Sequence, residues 1–300
     1  MNTITSTTAG PAPASRLRLV LSVFKLRIAV LIMVTALGGM AIVPGGTSLS
    51  AMQVLVLALS VLLASASAGA FNQFVEADSD RLMARTRSRA FASGALPTSR
   101  GWMLAIVALL VLAVGTAALV VNVAAAGFVL LGALTYAVVY TLGLKRRTEW
   151  NIVVGGLAGS FAVLAGAAAV NPQLGPLALL LALVLFLWTP PHFWSLAIAN
   201  NTEYAAAGVP MLPVVVGVPR AARIVHANAM LLVAVSVLPI FFGAGWIYLA
   251  GALAGGAHFI RKTHALANAP TRKTALAAFF ASMVQLSVLL AAVVVDAALR

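Results

Sequence analysis

The chain has 300 residues, of which 62% are hydrophobic and only 8% are charged. An ordinary soluble domain is roughly 45–50% apolar and about 25% charged, so this composition excludes a soluble globular protein, and its hydrophobicity excludes a disordered chain. A formal net charge of +13 would favour nucleic-acid binding in a soluble protein, but here the basic residues lie in short loops between long apolar segments. We therefore expect a polytopic membrane protein with no nucleic-acid partner. The absence of cysteine also excludes thiolate catalysis and cysteine-ligated metals.

Nine stretches of the sequence reach the length of about 20 apolar residues that a membrane-spanning helix needs. They are residues 22–43, 51–76, 102–121, 123–143, 150–170, 174–200, 222–241, 244–260 and 274–297. A β-barrel is disfavoured, because its strands would alternate in hydrophobicity at every second residue. The sequence therefore predicts an all-α polytopic membrane protein with nine transmembrane helices, in which residues 1–20 form a flexible tail and residues 21–300 form one transmembrane domain.

The basic residues predict the orientation of these helices. With nine spans, 18 of the 19 Lys and Arg residues fall on the side of the N-terminus, and Arg300 falls on the other side. Cytoplasmic loops carry such an excess of positive charge. We expect an N-terminus in the cytoplasm, a C-terminus outside, and a bacterial cytoplasmic (inner) membrane as the location, with membrane lipid around the helices.

Carboxylates are rare in this chain and are clustered at one helix end. Three of the six acids lie within five residues at the end of the second predicted span, and Asn72, Glu76 and Asp80 are spaced i, i+4 and i+8. This spacing places them on one face of a helix. Ionisable groups at a membrane helix indicate function, and such hard oxygen ligands suit Mg²⁺. The alternative is a solvated helix end whose acids pair with the arginines that follow.

Basic side chains adjoin this acidic cluster. Arg85 and Arg89 follow at positions i and i+4, and guanidinium groups bind phosphate oxygens in a bidentate manner. Topology or anionic lipid explains many basic loops. Neither explains why the densest acids and the densest bases of the chain adjoin, which favours a magnesium-diphosphate site. Lys145 and Arg146, in the loop after the fourth span, are further candidates for diphosphate binding.

The loop after the sixth span carries a second set of polar residues. Glu203 and Tyr204 follow that span, and Glu203 could supply the second half of a metal-diphosphate site from the second half of the chain. Pro190 and Pro191 are expected to kink the sixth helix. His192 follows these prolines, and a single helical histidine is more often a packing residue than a ligand.

These segments together resemble the UbiA-type intramembrane prenyltransferase superfamily, and within it the branch that farnesylates heme. The resemblance covers residues 20–295. It is carried by N-x-x-x-D-x-D-x-D and M-x-R-T-x-x-R-P within residues 72–90, L-K-R-R-T-x-x-N-I-V-x-G-G at 144–156, P-H-F-W at 191–194 and D-Y-x-x-A-G-x-P-M-L-P-V-V at 203–215. The chain departs from these patterns at Leu26, Glu76, Ala77, Ala90 and Glu203. These departures leave room for a paralogue with altered rate or substrate.

The resemblance implies a helical bundle around a central cavity that opens to the cytoplasm. It also implies Mg²⁺-dependent transfer of a farnesyl group from farnesyl diphosphate to a vinyl group of heme b, also called protoheme IX, which gives heme O and diphosphate. Farnesyl diphosphate and heme b are then the substrates, and a downstream heme A synthase or terminal oxidase is an expected partner.

The resemblance assigns a role to each candidate site residue. The metal ligands are Asn72, Glu76, Asp80 and Glu203, and the catalytic residues are Asn72, Glu76, Asp80 and Lys145. The diphosphate contacts are Arg85, Arg89, Lys145 and Arg146. In the second loop Tyr204 accompanies Glu203, and the heme contacts are His192 and Trp194.

Three other functions are compatible with parts of the sequence. A prenyltransferase for an aromatic quinone precursor would share the first site, but the segments at 144–156 and 191–194 argue against it. A transporter would place its acids near the middle of the membrane, whereas these acids lie at the membrane face. A catalytically silent heme-binding partner in oxidase assembly would follow from the substitutions in the first motif.

Overall fold

The computed structural model describes residues 16–44 and 48–299, and in this part the chain is a bundle of helices. The helices are α1 (Arg16–Val23), α2 (Leu26–Ile42), α3 (Ala51–Val75), α4 (Ala77–Asp80), α5 (Arg100–Val120), α6 (Val123–Leu134), α7 (Asn151–Gly155), α8 (Leu157–Val170), α9 (Pro176–Ala199), α10 (Asn201–Ala206), α11 (Leu212–Val216), α12 (Val218–Val237), α13 (Trp246–Asn268) and α14 (Arg272–Leu299). A π-helix at Thr135–Leu144 continues α6, and a 3-10 helix at Leu238–Phe242 continues α12. The predicted all-α class is confirmed. Of the predicted tail, residues 1–15 lie outside the described residues and residues 16–20 belong to α1.

The protein is a multi-pass membrane protein. Within the described residues, seven helices are long and apolar enough to cross a membrane, and the number is eight if α1 and α2, which are bent by 48°, form one span. The remaining predicted span, at 244–260, corresponds to α13, which has 23 residues and packs against α12 and α14. Arg261 and Lys262 lie in the C-terminal part of α13.

Local sequence determines where several helices begin. Ser50, Ser99 and Asn122 each accept a hydrogen bond from the backbone N–H three residues further on, at the first turns of α3, α5 and α6. Such caps satisfy backbone donors that have no partner inside the helix. The sixth predicted span corresponds to α9, which is not interrupted at Pro190 and Pro191. The helix continues through both prolines to Ala199, and the kink expected at this point stays a prediction.

Close packing of α2 against α8 holds the centre of the bundle together. A Cβ atom at Gly166 would lie 1.8 Å from the carbonyl oxygen of Ala36, and one at Gly39 would lie 2.1 Å from that of Val163. Only glycine permits this approach of the two backbones, as at many helix contacts in membranes. The α9 helix packs on α8, α12 and α14, so it lies in the interior of the bundle.

The two carboxylate-bearing loops lie at the same end of the bundle. Met83 from the loop after α4 packs in one apolar cluster with Tyr204, Val209 and Met211 from the region of α10 and α11. Ile152 of α7 belongs to the same cluster. The fold thus brings together segments that are more than 100 residues apart in the sequence.

Candidate active site

The acidic cluster lies at the end of α3 and is buried. Asn72 is 2% exposed, and Glu76 and Asp80 are each 3% exposed. The Nδ2 group of Asn72 donates a hydrogen bond to Oε2 of Glu76 over 2.7 Å. The chain remains helical through α4, which ends at Asp80, so the spacing of four residues brings Asn72 and Glu76 into contact as predicted.

Each member of this cluster has a cationic partner. Lys145 forms an ion pair with Oε2 of Glu76, and Nη1 of Arg89 lies 2.7 Å from Oδ2 of Asp80. Buried carboxylates are stable only when they are paired or hydrogen-bonded. The alternative that the acids pair with the arginines that follow therefore describes Asp80 correctly. That pairing uses one of the residues that we predicted for diphosphate binding.

The exposed acid of the first motif is separate from the buried cluster. The side chain of Asp78 is 93% exposed and lies 3.2 Å from Nη1 of Arg81. Surface pairs of this kind contribute little to stability. Substitutions of Asp78 can therefore serve as controls for substitutions of the buried acids Glu76 and Asp80.

Lys25 joins the cluster from the break between α1 and α2, and sequence reasoning did not place it in the site. Its Nζ atom donates to Oδ1 of Asn72 over 2.5 Å and to the hydroxyl of Tyr136 over 3.3 Å. The residue has a φ of 48°, a conformation that is unusual for a side chain other than glycine. A single lysine near the start of an apolar run was the available signal for this role.

A cavity of about 330 Å³ opens beside Lys25 and Arg89. Its other lining residues are Ser22, Ile28, Gln73 and Ser88. Two cationic groups, two hydroxyls and an amide at one cavity are chemically suited to an anion with several oxygens. The cavity borders Lys25 and Arg89, the two cations that contact Asn72 and Asp80 of the buried cluster.

The π-helix after α6 supplies another wall of the site. It holds the rings of Tyr136 and Tyr140 in a stack with centroids 5.5 Å apart, and Thr141 accepts a hydrogen bond of 3.1 Å from Nδ2 of Asn72. Lys145 follows directly after this segment. Short π-helical segments often occur at functional sites. Because the sequence pattern predicted an ordinary helix here, Tyr136 and Thr141 were not identified from it.

The second loop contributes a carboxylate with a different environment. Glu203 lies on α10, and its Oε2 atom is buried without a hydrogen-bond partner among the described residues. Oδ1 of Asn151 and Oδ1 of Asn201 are also buried without a hydrogen-bond partner among the described residues. Tyr204 is 8% exposed and belongs to the apolar cluster that joins the two loops.

Several predicted residues do not join the buried cluster. Arg85 and Arg146 are exposed, and across residues 16–44 and 48–299 no hydrogen bond or ion pair connects them to it. In the same ranges no group of three or more Asp, Glu or His side chains is close enough to hold a metal ion. The predicted ligands Asn72, Glu76, Asp80 and Glu203 are thus not arranged as one ready-made site.

The donor atoms nevertheless fit Mg²⁺. Oε1 of Glu76, like Oε2 of Glu203, is buried without a hydrogen-bond partner in the described part of the protein. A buried carboxylate oxygen without a donor is unfavourable, and a divalent cation with a preference for oxygen ligands would satisfy it. Binding of the metal would require Lys145 and Arg89 to share or to release their carboxylates.

The two predicted heme contacts lie in different surroundings. His192 is 8% exposed and stacks between Trp188 and Phe279. Trp194 packs in the apolar cluster with Met83, and its Nε1 donor has no partner among the residues that the structure describes. The two side chains share α9 but belong to separate clusters.

Comparison with known proteins shows which family the chain resembles in sequence and in fold. The UbiA prenyltransferase family matches residues 32–284 of the chain. Protoheme IX farnesyltransferase 2 of Paramagnetospirillum magneticum is 54% identical over 282 residues, which cover 94% of this chain and 98% of that protein. A solved structure of a digeranylgeranylglyceryl phosphate synthase has a TM-score of 0.78 at 20% identity and covers 96% of this chain and 100% of its own. The structure of a UbiA homologue from Archaeoglobus fulgidus bound to GPP and Mg²⁺ has a TM-score of 0.66 at 15% identity, with coverages of 89% and 99%.

The helical bundle and the family match define the class of the protein, which is an intramembrane prenyltransferase. The chain belongs to the UbiA prenyltransferase family and, by its identity to curated relatives, to the protoheme IX farnesyltransferases within it. The resemblance drawn from residues 72–90, 144–156, 191–194 and 203–215 is thereby confirmed.

Proposed function

We propose that this protein transfers a farnesyl group from farnesyl diphosphate to a vinyl group of protoheme IX, with addition of water across that vinyl group, to give heme O and diphosphate. The observation that supports it most directly is the buried set of Lys25, Lys145 and Arg89 around Asn72, Glu76 and Asp80. This set combines oxygen ligands for a metal with cations for phosphate at one end of an apolar bundle.

The residues around the first cluster would bind the diphosphate. Mg²⁺, held by Asn72, Glu76, Asp80 and Glu203, would stabilise the negative charge that develops on the leaving group. Lys145, Lys25 and Arg89 would turn from their carboxylate and amide partners to the diphosphate oxygens. The exposed Arg85 and Arg146 would meet the substrate as it enters from the aqueous side.

The apolar walls of the bundle suit the second half of the reaction. Breaking the allylic C–O bond leaves a carbocation that water would convert to an alcohol, so the cavity must exclude bulk water. The farnesyl chain would be enclosed by the stacked rings of Tyr136 and Tyr140 and by the apolar cluster that contains Ile152 and Met211. The heme would lie against α9, with His192 and Trp194 as contacts and its propionates towards the basic loops.

The proposal includes the membrane in which the protein lies, the orientation of its termini and its domain organisation. Residues 21–300 would be a single catalytic domain in a bacterial inner membrane, with the N-terminus in the cytoplasm and the C-terminus outside. The heme product would pass to a heme A synthase or to a terminal oxidase.

The test uses the purified protein in detergent with farnesyl diphosphate, reduced heme b and Mg²⁺, and detects heme O by mass spectrometry. Asp80→Ala removes the partner of Arg89 and should abolish product formation, whereas Asp78→Ala should leave it unchanged because Asp78 is 93% exposed. Equal loss in both variants would contradict the assignment of the buried cluster.

Two further results would redirect the proposal. Farnesyl diphosphate that is cleaved without heme O formation would indicate another acceptor, such as a quinone precursor. A folded protein that binds heme but does not cleave farnesyl diphosphate in the presence of Mg²⁺ would indicate a silent partner in oxidase assembly.

A further inference from the structure

The imidazole of His192 is held in one plane by its neighbours. The ring stacks on Trp188 at a centroid distance of 4.3 Å and on Phe279 at 4.5 Å, with interplanar angles of 20° and 27°. Trp188 is one helical turn away on α9, and Phe279 lies on α14. Two faces of the ring are therefore covered, and only its edges can contact other groups.

Hydrogen bonds to Ser282 determine which nitrogen of His192 carries the proton. Oγ of Ser282 donates to the carbonyl oxygen of Phe279 over 2.6 Å, so its own proton is used. The 2.7 Å contact between this oxygen and Nδ1 of His192 then requires Nδ1–H to be the donor. Nε2 consequently carries a lone pair, and it has no hydrogen-bond partner in the described part of the chain. Trp188 fixes the same serine, because its Nε1 donates to the carbonyl oxygen of Ser282 over 2.8 Å.

His192 is connected to the wall of the diphosphate site through Thr189 and the Gly155–Gly156 segment. Thr189 is three residues before it on α9, and the two positions are neighbours on the helix surface. A Cβ atom on Gly156 would lie 3.0 Å from Cβ of Thr189, and one on Gly155 would lie 2.8 Å from the ring of Tyr140. The turn of α9 that carries His192 therefore packs against Gly156, and the preceding Gly155 contacts Tyr140 of the π-helix that leads to Lys145.

We propose that His192 is the base that receives the proton of the water added across the heme vinyl group, with Ser282 and Trp188 as positioning residues. This inference rests on the proposed function and extends it to a step for which no residue has been assigned. Among the predicted site residues, His192 is the one whose nitrogen lone pair is held in a defined direction, by ring stacking and by the contact with Ser282. The usual support of a catalytic histidine is such a fixed tautomer.

The step balances without any further reactant. The electron pair of the vinyl double bond forms a C–C bond from the terminal vinyl carbon to C1 of the farnesyl group, whose C–O bond breaks with the pair leaving on diphosphate. The vinyl carbon next to the porphyrin becomes cationic, and a lone pair of water attacks it. The released proton moves to Nε2 of His192. If no base holds the water, the cation loses a proton from the neighbouring carbon instead, and the product is an alkene lighter by one water.

The experiment measures the ratio of hydroxylated to dehydrated farnesyl heme by mass spectrometry, in detergent and with ¹⁸O-labelled water. His192→Phe keeps a flat ring between Trp188 and Phe279 but removes both nitrogens, and we expect the ratio to fall about 100-fold. Ser282→Ala should lower this ratio about 10-fold because the tautomer of His192 is no longer fixed. Ser282→Thr retains the hydroxyl and should keep the ratio of the parent protein. Ser195→Ala is the matched control, since Ser195 is a fully buried serine of α9 whose hydroxyl bonds the carbonyl oxygen of Pro191.

The outcomes separate this inference from the proposed function. Absence of all farnesylated heme in the parent protein would contradict the proposed function itself. An unchanged ratio in His192→Phe would overturn the inference while leaving farnesyl transfer intact. Loss of both products in a folded His192→Phe variant that still binds farnesyl diphosphate would also overturn it, because the base acts after the C–C bond has formed. Label in the hydroxyl of the parent product, together with the fall in ratio, would support it.

Discussion

The carboxylates after α3 and the carboxylate on α10 lie at the same end of the bundle, but their charges are balanced differently. Glu76 and Asp80 are paired with Lys145 and Arg89, whereas Oε2 of Glu203 is buried without a hydrogen-bond partner in the described residues. In the first region each buried carboxylate has an ion-pair partner, although Oε1 of Glu76 has no hydrogen-bond partner among the described residues. In the second region Glu203 forms no ion pair within the part of the chain that the structure describes. The difference suggests that the first region stabilises the fold as well as binding substrate, and that the second gains its partner only with the ligand.

Within this comparison, the largest expected effect comes from removing Lys145, which pairs with Glu76 and is proposed to bind diphosphate. Lys145→Met removes the ion-pair partner of Glu76 and a proposed diphosphate contact, and we expect heme O formation to fall on the order of 100- to 1,000-fold. Arg147→Met is the matched control, because Arg147 is an exposed base two residues away. Comparable activity losses in the two variants would mean that the general charge of the loop matters rather than this contact.

Opposite changes in stability are expected for the two glutamates. Glu76→Gln leaves Lys145, whose side chain is 19% exposed, without its anion, and the free energy of unfolding should fall by about 3 kcal/mol. Glu203→Gln removes an unsatisfied buried carboxylate oxygen, and the free energy of unfolding should stay constant or rise by about 1 kcal/mol.

Thermal unfolding in detergent without Mg²⁺ and diphosphate measures the stability changes of these two variants. Addition of both ligands should raise the midpoint of the parent protein more than that of Glu203→Gln, because ligand that binds only the native state stabilises it. Destabilisation of similar size in the two variants would remove the distinction between the regions.

The contrast also shows what the sequence could predict. Local spacing gave the face shared by Asn72 and Glu76, and hydropathy gave the helices. These features depend on residues a few positions apart. The class of prenyltransferase followed from the motifs at 144–156 and 203–215, which relatives confirm.

The remaining features depend on contacts between distant segments. Lys25 reaches Asn72 across 47 residues, and Lys145 reaches Glu76 across 69. Neither distance can be read from periodicity, and the π-helix that aligns Tyr136 with the site is a departure from the ordinary helical repeat. The spacing did separate Asp80 from Asp78, because Asp80 shares the helix face of Asn72 and Glu76 and is buried, whereas Asp78 lies off that face and is exposed.

The smallest expected effect concerns the departure of the first motif from its family pattern. Glu76→Asp restores the residue that the pattern has and shortens the side chain by one methylene. The long, flexible stem of Lys145 can follow the carboxylate, whereas the 2.7 Å hydrogen bond from Asn72 should be weakened.

We therefore expect the rate of heme O formation to change by less than about 10-fold, together with a change in the Mg²⁺ concentration needed for half-maximal activity, since Mg²⁺ demands near-ideal ligand geometry. A titration of activity with Mg²⁺ measures both, and Asp78→Glu, the reverse exchange at the exposed acid, should leave both unchanged. Complete loss of activity in Glu76→Asp would show that the surrounding residues have adapted to glutamate, and that the first region is less tolerant than the flexibility of its lysine suggests.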